Sequence, residues 1–452
     1  MKLPYERPII RKLNAGPLNK FGPRAGVQPV TAIEGVPVRE LRQRFGSPLF
    51  VLSERQLRRS YQAAVRAFST RYPQVQFAWS YKTNYLNAVC RIFHQEGSWA
   101  EVVSGMELEK ALANGVPGPH IIFNGPGKSR ADLLRAIAVD CLIHLDHADE
   151  LHLLLELAAE LPSRPRVAIR VNMDTGVYPQ WDRFGFNYEN GEAWQALQRI
   201  VSSGRLELLG LHCHIGTFML QPAAYGAAAT KLAALAQRCQ HELRAPLQYL
   251  DLGGGFPSTN TLKGAYLPGP DTVPPLDDYA EAISQALLGA GFRPGELPLL
   301  ILEAGRALVD DAGYLLGSVL ATKRLADGRR ATILDFGVNL LFTSFWYDHL
   351  ISPTREYSAQ TENTVLYGPL CMNIDVVRDS VSLPLLSPGD QLLVHKVGAY
   401  NLSQWQQFIT LRPNVVLIDE RGEVHIIREA ETLDYLQQLE QVPEHLQLKV
   451  KS

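Results

Sequence analysis

Short apolar runs alternate with amphipathic helical stretches along most of the chain, and this alternation limits the fold more than any other feature. The runs begin at PLFVL (48–52) and continue to LPLLILEAGR (297–306), with helical stretches such as ADELHLLLELAAEL (148–161) between them. A strand followed by a helix, repeated about eight times, is typical of a parallel sheet and, at this count, of a closed barrel. The sequence therefore predicts an α/β fold, a (β/α)8 TIM barrel.

The pattern changes after about residue 310. Runs such as ATILDFG, TVLYGP, DQLLVHKVG and VVLIDERGEVHII are separated by turns and have few helices between them. This pattern predicts a C-terminal antiparallel β-domain of barrel or sandwich type. The Pro- and Gly-rich start of the chain indicates a surface arm that partly packs on the β-domain. The predicted boundaries are 1–45 for the arm, 46–310 for the barrel and 311–452 for the β-domain.

Composition excludes several classes of function. The 452 residues carry a formal net charge of −2 and no basic stripe, which argues against nucleic acid as a partner. We find no apolar run long enough to cross a bilayer, and MKLPYERPII lacks the apolar core of a secretory signal. The five cysteines are scattered and form no CxxC pair, so we expect a reduced, cytoplasmic protein.

One predicted strand ends on an unexpected charge. The run FAWSYK (77–82) suits the interior of a sheet, yet it closes with Lys82. Burying an ammonium without a partner is expensive, so this lysine requires a chemical explanation.

Other polar residues occupy the same position on neighbouring strands. In a TIM barrel, functional residues gather at the carboxyl ends of the strands. Any one of these residues could simply cap a strand, but their recurrence at one rim indicates a site. They are Lys82, Glu101, Ser104, Glu107, Asn124, Arg170, Asn172, His212, His214, Asp251, Glu303 and Arg306.

Three segments of this rim have distinct chemistry. The glycines of DLGGGFP (251–257) offer backbone N–H groups to a phosphate, or form a tight turn only. In LEAGR, the acid could bind a ring nitrogen and the arginine a phosphate, or the two could pair with each other. The two imidazoles of HCHIGT lie on one side of a strand, but we find no third ligand with suitable spacing, so no metal is expected.

Together these residues match the needs of pyridoxal 5'-phosphate. A lysine forms a Schiff base with its aldehyde, an acid keeps the pyridine nitrogen protonated, and glycines and an arginine hold the phosphate. A covalent bond to the cofactor would remove the charge of Lys82, which explains a lysine at the end of an apolar strand.

The motifs resemble those of the fold type III pyridoxal-phosphate enzymes, in the branch of diaminopimelate and ornithine decarboxylases. SYKTN resembles AxKAN, LGLHCHIGT resembles GxHxHIGS, LDLGGGFP resembles DxGGGF, and LEAGRALV resembles EPGRxLV. The resemblance extends over roughly residues 45 to 420 and implies an amino-acid decarboxylase that is a homodimer with sites at the subunit interface.

The resemblance also implies the role of each cofactor residue. Lys82 would carry the cofactor and His214 would stack on its ring. Glu303 would hold the pyridine nitrogen, and Arg306 would hold the phosphate or the substrate. The remaining implied cofactor contacts are Arg170, near the 3'-oxygen, and Thr217, Gly253, Gly254, Gly255 and Tyr400 around the phosphate.

Two further motifs lie in the β-domain. LYGPLCMNID resembles GPxCxxxD, and VGAY resembles GAY. By the resemblance, Cys371 enters the neighbouring subunit's site and helps to protonate the substrate carbanion. Asp375 would pair with Arg183 across the dimer.

The chain departs from the resemblance where substrate side chains are read. Relatives usually have DxGMNDLIRPxLY where this chain has DFGVNLLFTSFWY (335–347), so that Thr343 replaces an arginine and Leu340 an acid. Met372 replaces the acidic residue after the cysteine. The predicted substrate pocket comprises Thr343, Tyr347, Met372 and Arg306. It predicts a substrate without the distal charges of diaminopimelate or ornithine, unless charged partners come from elsewhere, such as the N-terminal arm.

Three alternatives stay open. A racemase shares the fold and cofactor, but racemases of this fold generally hold the ring nitrogen with an arginine, where this chain has Glu303. Diaminopimelate decarboxylase proper is the second alternative. A non-catalytic protein resembling the antizyme inhibitors is the third, and the retained cofactor residues argue against it.

Overall fold

The computed structural model describes residues 28–293, 295–357 and 360–446. The predicted arm lies outside these residues up to position 27. Its remainder forms a short hairpin, Ala32–Ile33 with Val36–Pro37, and the helix Val38–Phe45.

Eight parallel strands form the predicted barrel. Each strand pairs with the next one along the chain, from the first to the eighth. The eighth strand pairs with the first, and this pairing closes the barrel. A ninth short strand, Phe186–Asn187, extends the fifth. The eight are Val75–Ser80, Trp99–Val102, Ile121–Phe123, Leu142–Leu145, Arg166–Asn172, Glu207–His212, Tyr249–Asp251 and Leu299–Leu302.

Helices cover the outside of the barrel because each presents an apolar face to it. In the helix Glu54–Ser69, Leu57, Tyr61 and Phe68 are buried, and the hydroxyl of Ser53 caps its start by accepting a hydrogen bond from the Gln56 amide. The other helices of eight or more residues in this part are Asn87–Gln95, Gly105–Ala113, Arg130–Ala138, Ala148–Ala159, Glu192–Ser203, Pro222–Arg238 and Leu276–Leu288. The shorter helices are Gly269–Thr272 and Arg306–Val309.

The second sheet has nine strands and is mostly antiparallel, as predicted, with two parallel pairs. They are Leu49–Ser53, Gly313–Arg324, Arg330–Leu334, Ile351–Pro353, Thr361–Tyr367, Val376–Pro384, Gln391–His395, Val415–Ile418 and Val424–Arg428, and the short helix Leu433–Gln437 follows.

One strand assignment from the sequence was wrong. The sequence pattern places the run PLFVL in the barrel, but Leu49–Ser53 pairs with Gly313–Arg324 and Val415–Ile418 in the second sheet. The strand is buried on both faces, so its apolar pattern cannot distinguish the two sheets. The chain therefore begins in the β-domain before it enters the barrel, and the exact domain boundaries stay a prediction.

A search of the described helices for a membrane span found none that is both long and apolar enough.

Candidate active site

A cavity of about 690 Å³ opens where the carboxyl ends of the barrel strands face the β-domain. The barrel contributes Lys82, His214, Gly255, Glu303 and Arg306 to its lining, and the β-domain contributes Tyr400. The structure therefore brings together the central residues of the predicted cofactor site.

Lys82 lies in a 3-10 turn directly after the first barrel strand. Its Nζ donates to Glu101 Oε2 at 2.5 Å, and Ser80 Oγ donates to the same oxygen at 2.5 Å. Burial lowers the pKa of Lys82, but the carboxylates of Glu101 and Glu303 outweigh burial and hold this pKa above its usual value. Without cofactor the lysine is therefore a paired ammonium, and Glu101 has a role that the sequence did not reveal.

Glu303 follows the last barrel strand and is buried, with its carboxylate at the cavity wall. Asn124 Nδ2 donates to Glu303 Oε1 at 2.5 Å and also to Glu101 Oε1 at 3.1 Å. The alternative pairing of Glu303 with Arg306 is absent from the ion pairs of the described residues. The Asn124 side-chain amide therefore bridges the carboxylates of Glu101 and Glu303. Because Glu303 is not paired with Arg306, its carboxylate remains available to a ring nitrogen.

A layer of buried polar side chains lies behind Glu303. His212 Nε2 is 3.4 Å from Glu303 Oε2, and ligand atoms of His144, His212, Asp251 and Glu303 all lie within 4.8 Å of one another. Burial lowers the pKa of both histidines well below its usual value and raises that of Asp251. The sequence shows no third ligand spaced to join His212 and His214, and the cluster in the structure contains His212 but not His214. The expectation of no metal stays a prediction.

His214 is oriented by the glycine turn. Its Nδ1 accepts a hydrogen bond from the Gly254 amide at 3.2 Å, and its ring lines the cavity. Burial, with the charges of Arg170 and Lys82, lowers the pKa of His214 to about 3. A neutral imidazole held in this way can pack on an aromatic cofactor ring.

The glycine turn brings backbone close to the cavity. Gly253 and Gly255 have φ of +63° and +93°, a region that disfavours other residues. A Cβ at Gly255 would also collide with the carbonyl oxygen of Gly216. Both features require glycine here and leave the backbone of Gly255 accessible to a phosphate.

Arg306 has an unused donor beside this turn. Its Nη2 donates to Thr217 Oγ1 at 3.3 Å, whereas its buried Nη1 has no hydrogen-bond partner among the residues that the structure describes. The ring of Tyr400 lies 4.8 Å from the guanidinium carbon. An anion would satisfy the unused donor, and the exposed hydroxyl of Thr217 is available to the same anion. The residues present therefore fit pyridoxal 5'-phosphate at both its ring and its phosphate.

Arg170 is placed behind the cavity wall. Arg170 Nη1 lies 3.4 Å from Asp146 Oδ1, and the guanidinium carbon of Arg170 lies 4.5 Å from the centre of the Phe184 ring. Burial lowers its pKa. Its predicted contact with the cofactor's 3'-oxygen stays a prediction.

The predicted substrate pocket needs correction. Thr343 is buried. Its hydroxyl donates a hydrogen bond to Asn401 Oδ1 at 2.9 Å and is hydrogen-bonded to His349 Nε2 at 2.8 Å, so the Thr343 side chain faces away from the cavity. Leu340 is in the core. Of the four predicted residues, Tyr347 and Arg306 line the cavity in this chain.

Aromatic residues that the sequence did not single out form the wall instead. They are Phe218, Phe345 and Trp346, joined by Leu262 and Lys263 from the loop after the glycine turn. Only FWY at the end of the aligned segment 335–347 could have indicated this wall, because the path of the loop that carries Leu262 and Lys263 depends on tertiary contacts.

Cys371 and Met372 do not line the cavity of their own chain, and Cys371 is exposed. A role for both across a dimer therefore stays a prediction. The predicted pairing of Asp375 with Arg183 across a dimer stays a prediction. Within its own chain Asp375 is buried and accepts hydrogen bonds from the Val338 and Leu370 amides at 2.8 Å each.

Comparison with known proteins gives a consistent result. Residues 56–310 match the family described as pyridoxal-dependent decarboxylase, pyridoxal binding domain. The diaminopimelate decarboxylase of Methanocaldococcus jannaschii is 31% identical over 433 residues, which cover 92% of this chain and 95% of the relative. That of Pseudomonas aeruginosa is 31% identical over 419 residues, covering 89% and 95%.

Solved structures agree. The crystal structure of the M. jannaschii diaminopimelate decarboxylase superposes with a TM-score of 0.84 at 30% identity, covering 92% of this chain and 97% of that one. The crystal structure of the Helicobacter pylori diaminopimelate decarboxylase complexed with L-lysine superposes with a TM-score of 0.79 at 26% identity. The match covers 89% of this chain and 98% of that one.

Proposed function

The chain belongs to the pyridoxal-dependent decarboxylase family, and from this premise we propose that its substrate is an amino acid or amino-acid conjugate without the distal charges of diaminopimelate or ornithine. The reaction is pyridoxal-phosphate-dependent decarboxylation of an amino acid. The proposal concerns which amino acid, and which residues act.

The aromatic wall is the observation that supports this substrate class. Phe345, Trp346 and Tyr347 cover one side of the cavity, and the rings of Trp346 and Tyr347 also flank Arg306, at 5.8 and 5.5 Å from its guanidinium carbon. A carboxylate pressed against the faces of these rings would lose hydration without gaining a partner, because the ring faces are electron-rich. A neutral, apolar or aromatic segment would instead bury its surface there.

The cofactor site divides binding among several groups of the chain. When bound, pyridoxal 5'-phosphate supplies an aldehyde and a ring that accepts electrons. Lys82 is the amine placed to hold the aldehyde carbon. Glu303 would hold a proton at the ring nitrogen, and neutral His214 would pack against the ring. Arg306, Thr217, Gly255 and Tyr400 would bind the phosphate.

Two further groups of the chain have roles in turnover. Glu101 is hydrogen-bonded to Lys82 Nζ, so it orients this amine and stabilises the ammonium that Lys82 forms when it is not joined to the cofactor. Cys371 lies on an exposed loop outside its own cavity. We place it in the partner's cavity of a homodimer, where it delivers a proton to the α-carbon.

Decarboxylation of diaminopimelate is the second candidate. The names of the relatives at about 30% identity favour it. The two candidates differ in the charge that the substrate's far end presents to the aromatic wall.

A panel of amino acids distinguishes them. CO2 release and kcat/KM would be measured for meso-diaminopimelate, lysine, ornithine, phenylalanine, 2-aminoheptanoate and long N-acylated diamino acids. The proposal predicts the highest kcat/KM for a member whose side chain is neutral where it contacts Trp346. The highest kcat/KM for diaminopimelate would overturn it in favour of the second candidate. Racemisation without CO2 would overturn both.

A further inference from the structure

The interior of the barrel carries a layer of four polar side chains beside the cavity. They come from alternate strands: Glu101 from the second, His144 from the fourth and His212 from the sixth, while Glu303 follows the eighth. Layers of this kind are usually built from branched apolar side chains. All four residues are buried, and burying polar groups is costly unless they are partnered. The proposed function gives roles to Glu101 and Glu303, but it gives none to His144.

A tyrosine two residues before Asp251 anchors His144. The Tyr249 hydroxyl is hydrogen-bonded to His144 Nε2 at 2.8 Å, and the two rings are stacked with their centres 5.8 Å apart. Tyr249 is buried in an apolar cluster that includes Ala78 and Ile122 of two other barrel strands. The orientation of the His144 ring is therefore set by the barrel itself.

The ring of His212 packs on that of His144. The ring centres are 4.9 Å apart, with 34° between the two planes. Neither ring nitrogen of His212 has a hydrogen-bond partner in the described part of the chain, so packing orients this ring. Burial lowers the pKa of both histidines well below its usual value, so the two neutral rings can lie together without charge repulsion.

The carboxylate of Glu303 faces a polar group at each oxygen. Asn124 Nδ2 donates to Oε1 at 2.5 Å, and His212 Nε2 lies 3.4 Å from Oε2. A neutral imidazole can carry its proton on Nε2 and donate it to that oxygen. Such hydrogen bonds are often long in an unloaded site and shorten when the site is filled. The direction of the Glu303 carboxylate therefore depends on where the His212 ring lies.

We propose that His144 is a positioning residue for Glu303 and that it acts through His212. The inference rests on the proposed function, because it takes from it the action of Glu303 at the ring nitrogen of the cofactor. It adds a residue of the barrel interior that does not line the cavity. The role of His144 is independent of which amino acid is the substrate.

A double-mutant cycle on the cofactor-loaded protein tests this role. Wild type, His144→Leu, Glu303→Gln and the double variant would be compared by kcat for the best substrate of the panel. The visible circular dichroism of the bound cofactor, which reports how its ring is held, is the second readout. His144→Leu should lower kcat about 5- to 20-fold, weaken the dichroism and leave KM within about 2-fold. In the Glu303→Gln background it should change kcat by less than about 2-fold, because the carboxylate that it positions is gone.

Two further variants support the cycle. Tyr249→Phe removes only the hydroxyl that anchors His144, and it should lower kcat about 2- to 5-fold, again only when Glu303 is present. His395→Leu is the matched control, because His395 Nε2 is also hydrogen-bonded to a hydroxyl, that of Ser352 at 3.0 Å, but lies in the second sheet and outside the cavity lining. This control should keep the wild-type dichroism and kcat.

The outcomes separate this inference from the proposed function. Equal losses from His144→Leu with and without the Glu303 carboxylate overturn the role of His144, since a merely structural effect is additive. Unchanged dichroism and kcat in His144→Leu overturn it as well. If His144→Leu fails to fold, Tyr249→Phe decides, and an additive loss or no loss there overturns the proposal.

A failure of the proposed function has a different signature. If no panel member releases CO2, the proposed function fails, while the dichroism of the same four proteins still decides the role of His144. Wild-type dichroism and kcat in Glu303→Gln alone would overturn both.

Discussion

The two ends of the cavity are built in different ways. At the cofactor end, Lys82 and Glu303 follow barrel strands and Glu101 lies near the end of one. Hydrogen bonds of 2.5 Å join Lys82 to Glu101 and Asn124 to Glu303. At the substrate end, Trp346 and Lys263 lie on loops from two domains and are partly exposed. Strand ends fix the direction of a side chain, whereas a loop can change without disturbing the barrel. We therefore assign the shared chemistry to the rigid end and substrate choice to the adaptable end.

Replacing Lys82 by alanine would break the cofactor end most completely. The variant loses the amine that holds the cofactor, so kcat/KM should fall by at least about 10³-fold. The visible absorbance of the bound cofactor should shift or vanish. Retained absorbance and activity would show that another lysine does this work.

Replacing Glu303 by glutamine should lower kcat by about 10²-fold or more, because an amide holds a proton at the ring nitrogen poorly. Substrate KM should change little, which assigns the effect to chemistry. A change confined to KM would show that Glu303 acts in substrate binding and not in the chemical step.

Cys371→Ser tests whether the substrate end extends to a second chain. We expect normal cofactor absorbance and a kcat about 10- to 100-fold lower, because a proton donor is weakened. Mixing this variant with Lys82→Ala should restore part of the activity, since one of two mixed sites would be intact. No recovery in subunits shown to exchange would contradict a shared site.

Trp346→Ala probes the aromatic wall. Removing this ring should raise KM about 10-fold for a neutral substrate, with kcat within about 3-fold, because the contact is equal in ground and transition states. Phe408→Ala, a partly exposed aromatic residue outside the cavity lining, is the control. A loss mainly in kcat would mean that the wall orients the reacting bonds.

The smallest effect concerns stability and pH. Burial, with the charge of Glu101, raises the pKa of Glu107 to about 7. The folded state keeps this proton where the unfolded chain has lost it, so unfolding free energy falls as pH rises from about 4.5 to 7. Glu107→Gln lacks this loss and should be more stable than wild type by about 2–3 kcal/mol at pH 8, but not at pH 4. Denaturant unfolding at both pH values measures it, and an equal difference at both would refute the assignment.

The same comparison explains what the sequence could predict. Lys82, His214, Glu303 and Arg306 were identifiable because each follows an apolar strand whose end must lie at one rim. Glu101 was placed at that rim, but its pairing with Lys82 depends on neighbouring strands.

Residues on loops and in the second sheet were harder to predict. Thr343 occupies an aligned position but turns away to His349, and Lys263 reaches the cavity through backbone hydrogen bonds between domains. The sequence assigns the strand Leu49–Ser53 to the wrong sheet, because a strand that is buried on both faces has the same apolar pattern in either sheet. Side-chain direction in such segments is decided by tertiary contacts.

Trapping the cofactor on its lysine tests the central claim most directly. The purified protein would be reduced with borohydride, digested and analysed by peptide mass spectrometry. The account predicts a phosphopyridoxyl group on Lys82 alone. The same group on Lys128 or Lys263, or no modified lysine in protein that contains the cofactor, would contradict it.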